Sequence, residues 1–520
     1  MNNRIIMILG IALLASSTLA SNRIWDGGGT EANWDLADNW DGTIPVAGDA
    51  LFFGGSAKVT NTNNLADGTA FSGITFNSGA GAFSLWGNAV TLEGNISNLS
   101  SNTQTVQLPL SLNGLSTFYS PGANFTVNGT ISGSGGLIAD VTNRTFTLTA
   151  SNTYEGVTYV TNGTLAMTHS CALGSTNAPT MVYGRQNGKL QLSGGLDIYE
   201  PLTLNGQRPN YGQTLTCSGG SNTIWGMISK INEIRVGCGS GITLVFAGGF
   251  QSLTSGGDVI LNPGGGTILF RDHPVHLGTG SIYLDQSGLI ALAVAGNTWG
   301  DTRAAGSGGK IRADVTNVLP TATRLVIGAG HSPSGNFDLN GYDQTVGQLA
   351  TDTVNAGTRV VMSVKPAVLT LNQSATTLYN GLISGAVHII KNGTGTITFT
   401  NGISTTTGDF TVNTGTVVVA QSASLGTNAN TIVNGGILEL RTETALWNGT
   451  SLFIANTGKV KIASGVSATV QKLYINGLQQ ERGTYGTATS GASHIDDSHF
   501  ADSGVLHVLY DKPGTMISVK

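Results

Sequence analysis

The chain has 520 residues, 75 of them glycine, yet only 10% are charged and the net charge is −5. That length is far above what one compact core holds, so the sequence predicts several domains or one elongated repeat architecture. Low charge without any Lys/Arg run leaves no phosphate footprint and excludes nucleic acid as a partner class. The polar share is carried by Asn, Thr, Ser and Gln, and β-branched residues are spread evenly, which excludes wholesale disorder.

In chain order, Met1–Arg4 is a short basic region, "IIMILGIALLA" (5–15) an apolar core, and "SSTLA" (16–20) ends in a small residue. Residues 1–20 therefore read as a signal peptide that is removed on export, too short to span a bilayer. No cysteine follows it, which argues against a lipid anchor, and no later stretch is long and apolar enough for a transmembrane helix. Three cysteines follow, Cys171, Cys217 and Cys238, too few for a disulfide framework.

Beyond the leader no window carries the apolar i, i+3, i+4, i+7 spacing of a helix. Short alternating runs recur instead, each ended by a turn dipeptide: "TFTLT" (145–149), "TYVTNGTLAM" (158–167), "KLQLSGG" (189–195), "TITFTNG" (396–402), "TIVNGGILEL" (431–440) and "KVKIASG" (459–465). The chain is all-β. "GTISGSGG" (129–136) matches "GLISGAVH" (381–388), Gly163 matches Gly415, and "LGSTNA" (173–178) matches "LGTNAN" (425–430), all at one offset of 252 residues. Self-similarity of this kind belongs to a β-solenoid rather than a sandwich. Inward positions of stacked coils form Val, Ile and Leu ladders, and outward Thr, Ser and Asn keep the shaft wet without charge. At about 22 residues per coil the chain would make about 20 coils and a rod of order 100 Å. Cys217 and Cys238 then sit about one coil apart, as a disulfide or as two stacked buried thiols.

The repeated phrase resembles the autotransporter-associated β-strand repeat, first as "FTLTASNTYEGVTYVTNGTLAMTHSCALG" (146–174) and again, more weakly, as "ITFTNGISTTTGDFTVNTGTVVVAQSASLG" (397–426). "IWDGGGTEANWDLADNWDGTIPVAGDALFFGG" (24–55) is similar to the opening segment of such proteins. "KLYINGLQQERGTYGTATSGASHIDDSHFADSGVLHVL" (472–509) is similar to their closing segment. Residues 200–370 match only in texture. The resemblance implies an exported right-handed parallel β-helix at or outside the surface of a Gram-negative-type bacterium, usually without an assigned reaction. It divides the chain into a Trp-rich cap over 21–90, a β-helix over 91–471 and a closing segment over 472–520. The sequence departs from true autotransporters in showing no translocator barrel, whose signature is many alternating strands of about ten residues.

Trp25, Trp34 and Trp40, with Asp26, Asp35, Asp38 and Asp41, form the densest aromatic-acidic cluster. Exposed, they would stack on sugar rings and offer carboxylates to Ca²⁺. As a cap, they would plug the first coil edge, and this is the favoured reading. In "HPVH" His273 and His276 point to opposite faces of a strand. In "HIDDSH" His494, Asp496, Asp497 and His499 suggest a metal site, but turn capping fits the two aspartates better.

β-Helices also host polysaccharide lyases and hydrolases, which need converging carboxylates and a cation. The best candidates are Asp272, Asp285, Asp301, Arg303 and Asp314, with Arg271, Lys310 and Arg312 nearby; surface salt bridging is the simpler account of them. The sequence has no phosphate-binding loop opening a helix and no nucleophile elbow. It predicts a secreted structural or adhesive rod with no catalytic cofactor and an extracellular polysaccharide or cell-surface component as partner. A carbohydrate-active or glycan-binding β-helix is the alternative.

Overall fold

The computed structural model describes residues 20–206, 212–330, 332–352, 357–400, 402–428, 430–455 and 457–511. The proposed leader, except for Ala20, and the last nine residues lie outside them. The described chain winds into a parallel β-solenoid of about 19 turns, close to the expected 20. Its strands stack mainly into sheets of 26, 16 and 6 members, the sides of the coil.

The interior is built from ladders, because parallel pairing sets like positions of successive coils above one another. One runs Leu51, Ile74, Ile96, Phe118, Ala139, Val160, Val182 and Leu204, every member buried. A second runs Phe125, Phe146, Leu165, Leu190, Leu215, Val236, Leu261, Leu284, Ala304 and Ile327. The second ladder carries the same parallel pairing to Ile327, and Gly335–Asp338 pairs in parallel with Arg359–Met362 beyond it, so among the described residues this weakly matching stretch continues the solenoid. Two lysines interrupt the apolar columns. Buried Lys230 stacks on Leu204 and donates to the carbonyls of Asn232 and Gly256 at 3.0 and 2.9 Å. Buried Lys391 donates to the carbonyls of Asn392, Gly393 and Thr414 at 2.8–3.0 Å. Each ammonium thus satisfies corner carbonyls that would otherwise be buried without donors.

The two copies of the repeated phrase fold alike. Gly163 has φ 75° and Gly415 φ 71°, each at a bend where a Cβ would strike a carbonyl of the coil below. The side chain of Asn152 accepts the Ile131 amide at 2.8 Å, and 252 residues later Ser404 accepts the Ile383 amide at 3.2 Å.

The opening segment is itself the first rung. Asn22–Trp25 pairs in parallel with Ala50–Phe53, which pairs with Gly73–Phe76. At the other end Lys472–Ile475 pairs in parallel with Ser451–Ile454 and then turns back on Leu478–Gln479 as an antiparallel hairpin. Gly483–Tyr485 lies antiparallel to Leu506–Val508. Antiparallel pairing uses up the free edge that a parallel coil would leave exposed.

Candidate functional site

Trp25, Trp34 and Trp40 are at most 1% exposed, which corrects the sugar-stacking reading: their faces are spent on one another. Trp40 meets Trp25 and Trp34 edge-on at 5.2 and 5.8 Å, and Phe53 fills the space between the three at 5.7–6.0 Å. Each indole N–H is used internally, Trp25 on the Ala57 carbonyl, Trp34 on the Asn61 side chain and Trp40 on the Trp34 carbonyl. Asp26 accepts the amide of Gly28, and Asp41 lies 4.0 Å from Arg23. Buried rings with satisfied N–H groups make a plug for the end of the coil.

The carboxylates of the 260–315 region do not meet. Asp272, at a left-handed corner (φ 66°), pairs with Arg271 at 2.8 Å. Asp285 faces Arg235 at 3.6 Å, and Asp301 lies between Arg303 and Arg324 at 2.9 and 3.0 Å. Asp314 pairs with Arg312 at 2.6 Å and Lys310 with Asp338 at 3.0 Å. Arg303 belongs to the 26-stranded sheet, whereas Lys310 and Arg312 belong to the 16-stranded one, so these pairs decorate two sides of the rod. Arg271 also lies over Trp225 at 5.0 Å, Tyr199 stacks on Trp225 at 6.1 Å and 9°, and the indole N–H donates to Asp197 at 3.0 Å. Partly exposed ion pairs of this kind contribute about 0–1 kcal/mol each.

The histidine motifs are likewise absorbed locally. The ring Nδ1 of His273 lies 2.7 Å from the Ala247 carbonyl and that of His276 2.9 Å from the Thr298 hydroxyl. Asp496 accepts the amides of Ser498 and His499 and lies 2.7 Å from the His499 ring, Asp497 accepts the Ala488 amide, and His494 stacks on Tyr485 at 4.5 Å. The aspartates cap turns, and among the described residues no three His, Cys, Asp or Glu side chains converge.

Cys217 and Cys238 sit on adjacent rungs of the inward ladder Leu148, Met167, Leu192, Cys217, Cys238, as the spacing predicts. They are unbonded, so of the two expectations the stacked thiols hold and the disulfide does not. Burial pushes both thiols up from their usual range, which keeps them protonated and unreactive.

What the fold does assemble is a face of the 16-stranded sheet over residues 343–477. One outward row runs Thr345, Thr370, Ile390, Thr411, Ile432, Phe453, Tyr474. Phe453 and Tyr474 stack at 4.5 Å and 7°. On one flank Asn413 donates to Asn392 and Asn434 to Asn413, each at 2.8 Å. On the other flank His388 accepts the Asp409 amide, and Asn430 donates to the Asp409 carboxylate, both at 3.1 Å. Two hollows open on this face, one of about 370 Å³ beside His388 and Asp409, the other of about 500 Å³ beside Phe453 and Tyr474. Sequence reasoning passed over these residues; the signal was the 21-residue recurrence of Asn392, Asn413 and Asn434. No protein-family model, curated protein or solved structure matches the chain.

Proposed function

We propose that this chain is an exported structural or adhesive β-helix that acts at the outer surface of a Gram-negative-type cell or in its matrix. Its 343–477 face would hold an extracellular polysaccharide or cell-surface component. Support for export is the leader pattern of residues 1–20, and support for a passenger-like role is the repeated phrase with its opening and closing segments. The observation that carries the binding role is the outward face itself, where amide, apolar and polar rows run side by side over successive coils. Such a surface suits a long neutral polymer, because the rows continue from coil to coil at a spacing of about 4.8 Å.

A structural role is favoured over catalysis because each of Asp272, Asp285, Asp301 and Asp314 has its own basic partner. The test is retention of the protein on a panel of immobilised acidic and neutral polysaccharides, run with an assay of reducing-end release, with and without Ca²⁺. Retention on at least one polymer without turnover is the expected result. Turnover on any polymer, or no retention on all of them, overturns the proposal.

A further inference from the structure

The asparagine row on this face is broken once. Asn372, Asn392, Asn413 and Asn434 occupy successive rungs, the next rung carries Ala455, and Asn476 follows one rung later. Among Asn392, Asn413 and Asn434 the amides point the same way: Asn413 Nδ2 donates down to Asn392 Oδ1 and Asn434 Nδ2 down to Asn413 Oδ1. Asn434 Oδ1 is the acceptor that a side-chain amide at position 455 would meet, and alanine has none to offer. Asn476, at the left-handed corner of the 472–479 hairpin (φ 51°), lines the far side of the same gap and brings an amide donor to it. The hollow of about 500 Å³ lies at this gap, lined by Asn434, Ala455 and Asn476 with Ile432, Phe453 and Tyr474 beside them.

We propose that this notch binds the acetamido group of an N-acetylated amino sugar within a glycan. The proposal rests on the adhesive reading above and names the sugar class for it. The gap asks for one group that donates toward Asn434 and accepts from Asn476. A trans secondary amide does this, because its N–H and C=O point in opposite directions and such amides stack at the rung spacing of about 4.8 Å. One hydroxyl reaches only about 5.6 Å through two hydrogen bonds, short of the roughly 7 Å between facing amide atoms that two rung spacings of about 4.8 Å leave. The acetyl methyl then faces the apolar side formed by Ile432, Phe453 and Tyr474. No charged side chain lines the notch, which disfavours a uronate there. A glutamine or asparagine side chain of a protein carries the same carboxamide, but it lacks the methyl and brings a second N–H that the apolar side leaves unpaired.

The test compares tri-N-acetylchitotriose with cellotriose, which has hydroxyls in place of the acetamido groups, by saturation-transfer NMR and titration on the full chain. The N-acetylated sugar is expected to bind at least tenfold more tightly, with the strongest transfer at the acetyl methyl. Ala455→Asn, which completes the row, is expected to weaken that binding at least tenfold with an unchanged or raised Tm. Asn476→Ala, which removes the donor and leaves the notch open, is expected to weaken it by a similar factor. Equal binding of the two sugars, undiminished binding by both variants, or binding of a glutamine-containing peptide in preference to the sugar overturns the inference. Retention on polysaccharide that persists in Ala455→Asn overturns the notch and leaves the adhesive reading standing.

Discussion

Glu200 is 4% exposed, takes one hydrogen bond from the Thr180 hydroxyl at 3.1 Å, and leaves its second oxygen without a partner among the described residues. Burial pushes its carboxyl up to about 8 from 4.5, the Thr180 bond opposing only in part. The folded chain therefore holds a proton that the unfolded chain releases, and this contribution to stability is complete below pH 4.5 and lost as pH rises through about 8. One proton gives a slope of at most about 1.4 kcal/mol per pH unit. Thermal midpoints from pH 4 to 9 should fall across that window in the native chain. They should stay flatter, and end higher above pH 8, in Glu200→Gln, which keeps the shape of the neutral acid. A parallel course of the two curves would refute this account. Trp34→Ala opens a cavity in the plug and strands the Asn61 acceptor, so it should cost about 3–5 kcal/mol. Polysaccharide retention should not change at a temperature where the variant stays folded. Retention lost with stability intact would restore the sugar-stacking role.

At the level of the element, the two copies of the phrase should respond alike to the same lesion. Gly163→Val and Gly415→Val each force a β-branched residue into φ near +70° and its Cβ into a carbonyl of the coil below. Each should destabilise by more than about 2 kcal/mol, as read by chemical denaturation, and a variant at wild-type stability would show that the bends can re-form. The thiols offer an independent check on the ladders. Cys171 is exposed whereas Cys217 and Cys238 are stacked inside, so a maleimide should label one site in the folded chain and three after denaturation. Labelling of two or three sites under native conditions would contradict the stack.

Across the whole molecule, about 19 turns at the inter-strand spacing of about 4.8 Å predict a rod about 90 Å long, measurable by small-angle scattering. A compact particle would rule the architecture out. The closing segment ends the stack through antiparallel pairs, so deleting residues 472–520 uncovers the edge of Ser451–Ile454. The truncated chain should self-associate in sedimentation analysis, and a monodisperse monomer would show that the edge is harmless.

Much of this was legible in the residues. Alternation of period two, turn dipeptides and the 252-residue offset announced stacked coils, because an inward ladder demands the same kind of residue at the same point of every turn. Even the stacking of Cys217 on Cys238 followed from one coil length. What the sequence could not say is which polar residues face inward. Lys230 and Lys391 look like surface residues until the register places them under corner carbonyls, and Glu200 looks like a solvated acid until the coil closes over it. The tryptophans and the 260–315 carboxylates are clusters in sequence, but whether a ring is covered or two acids share a side is settled by the winding of the coil. The 343–477 face belongs to the same class: its rows are single residues about 21 apart, too sparse to form a motif. The sequence by itself determined the solenoid, since a repeat of local pattern fixes a repeat of local structure. Only the tertiary structure decided which side chains meet, since neighbours across rungs are set by register, and register is a property of the wound chain.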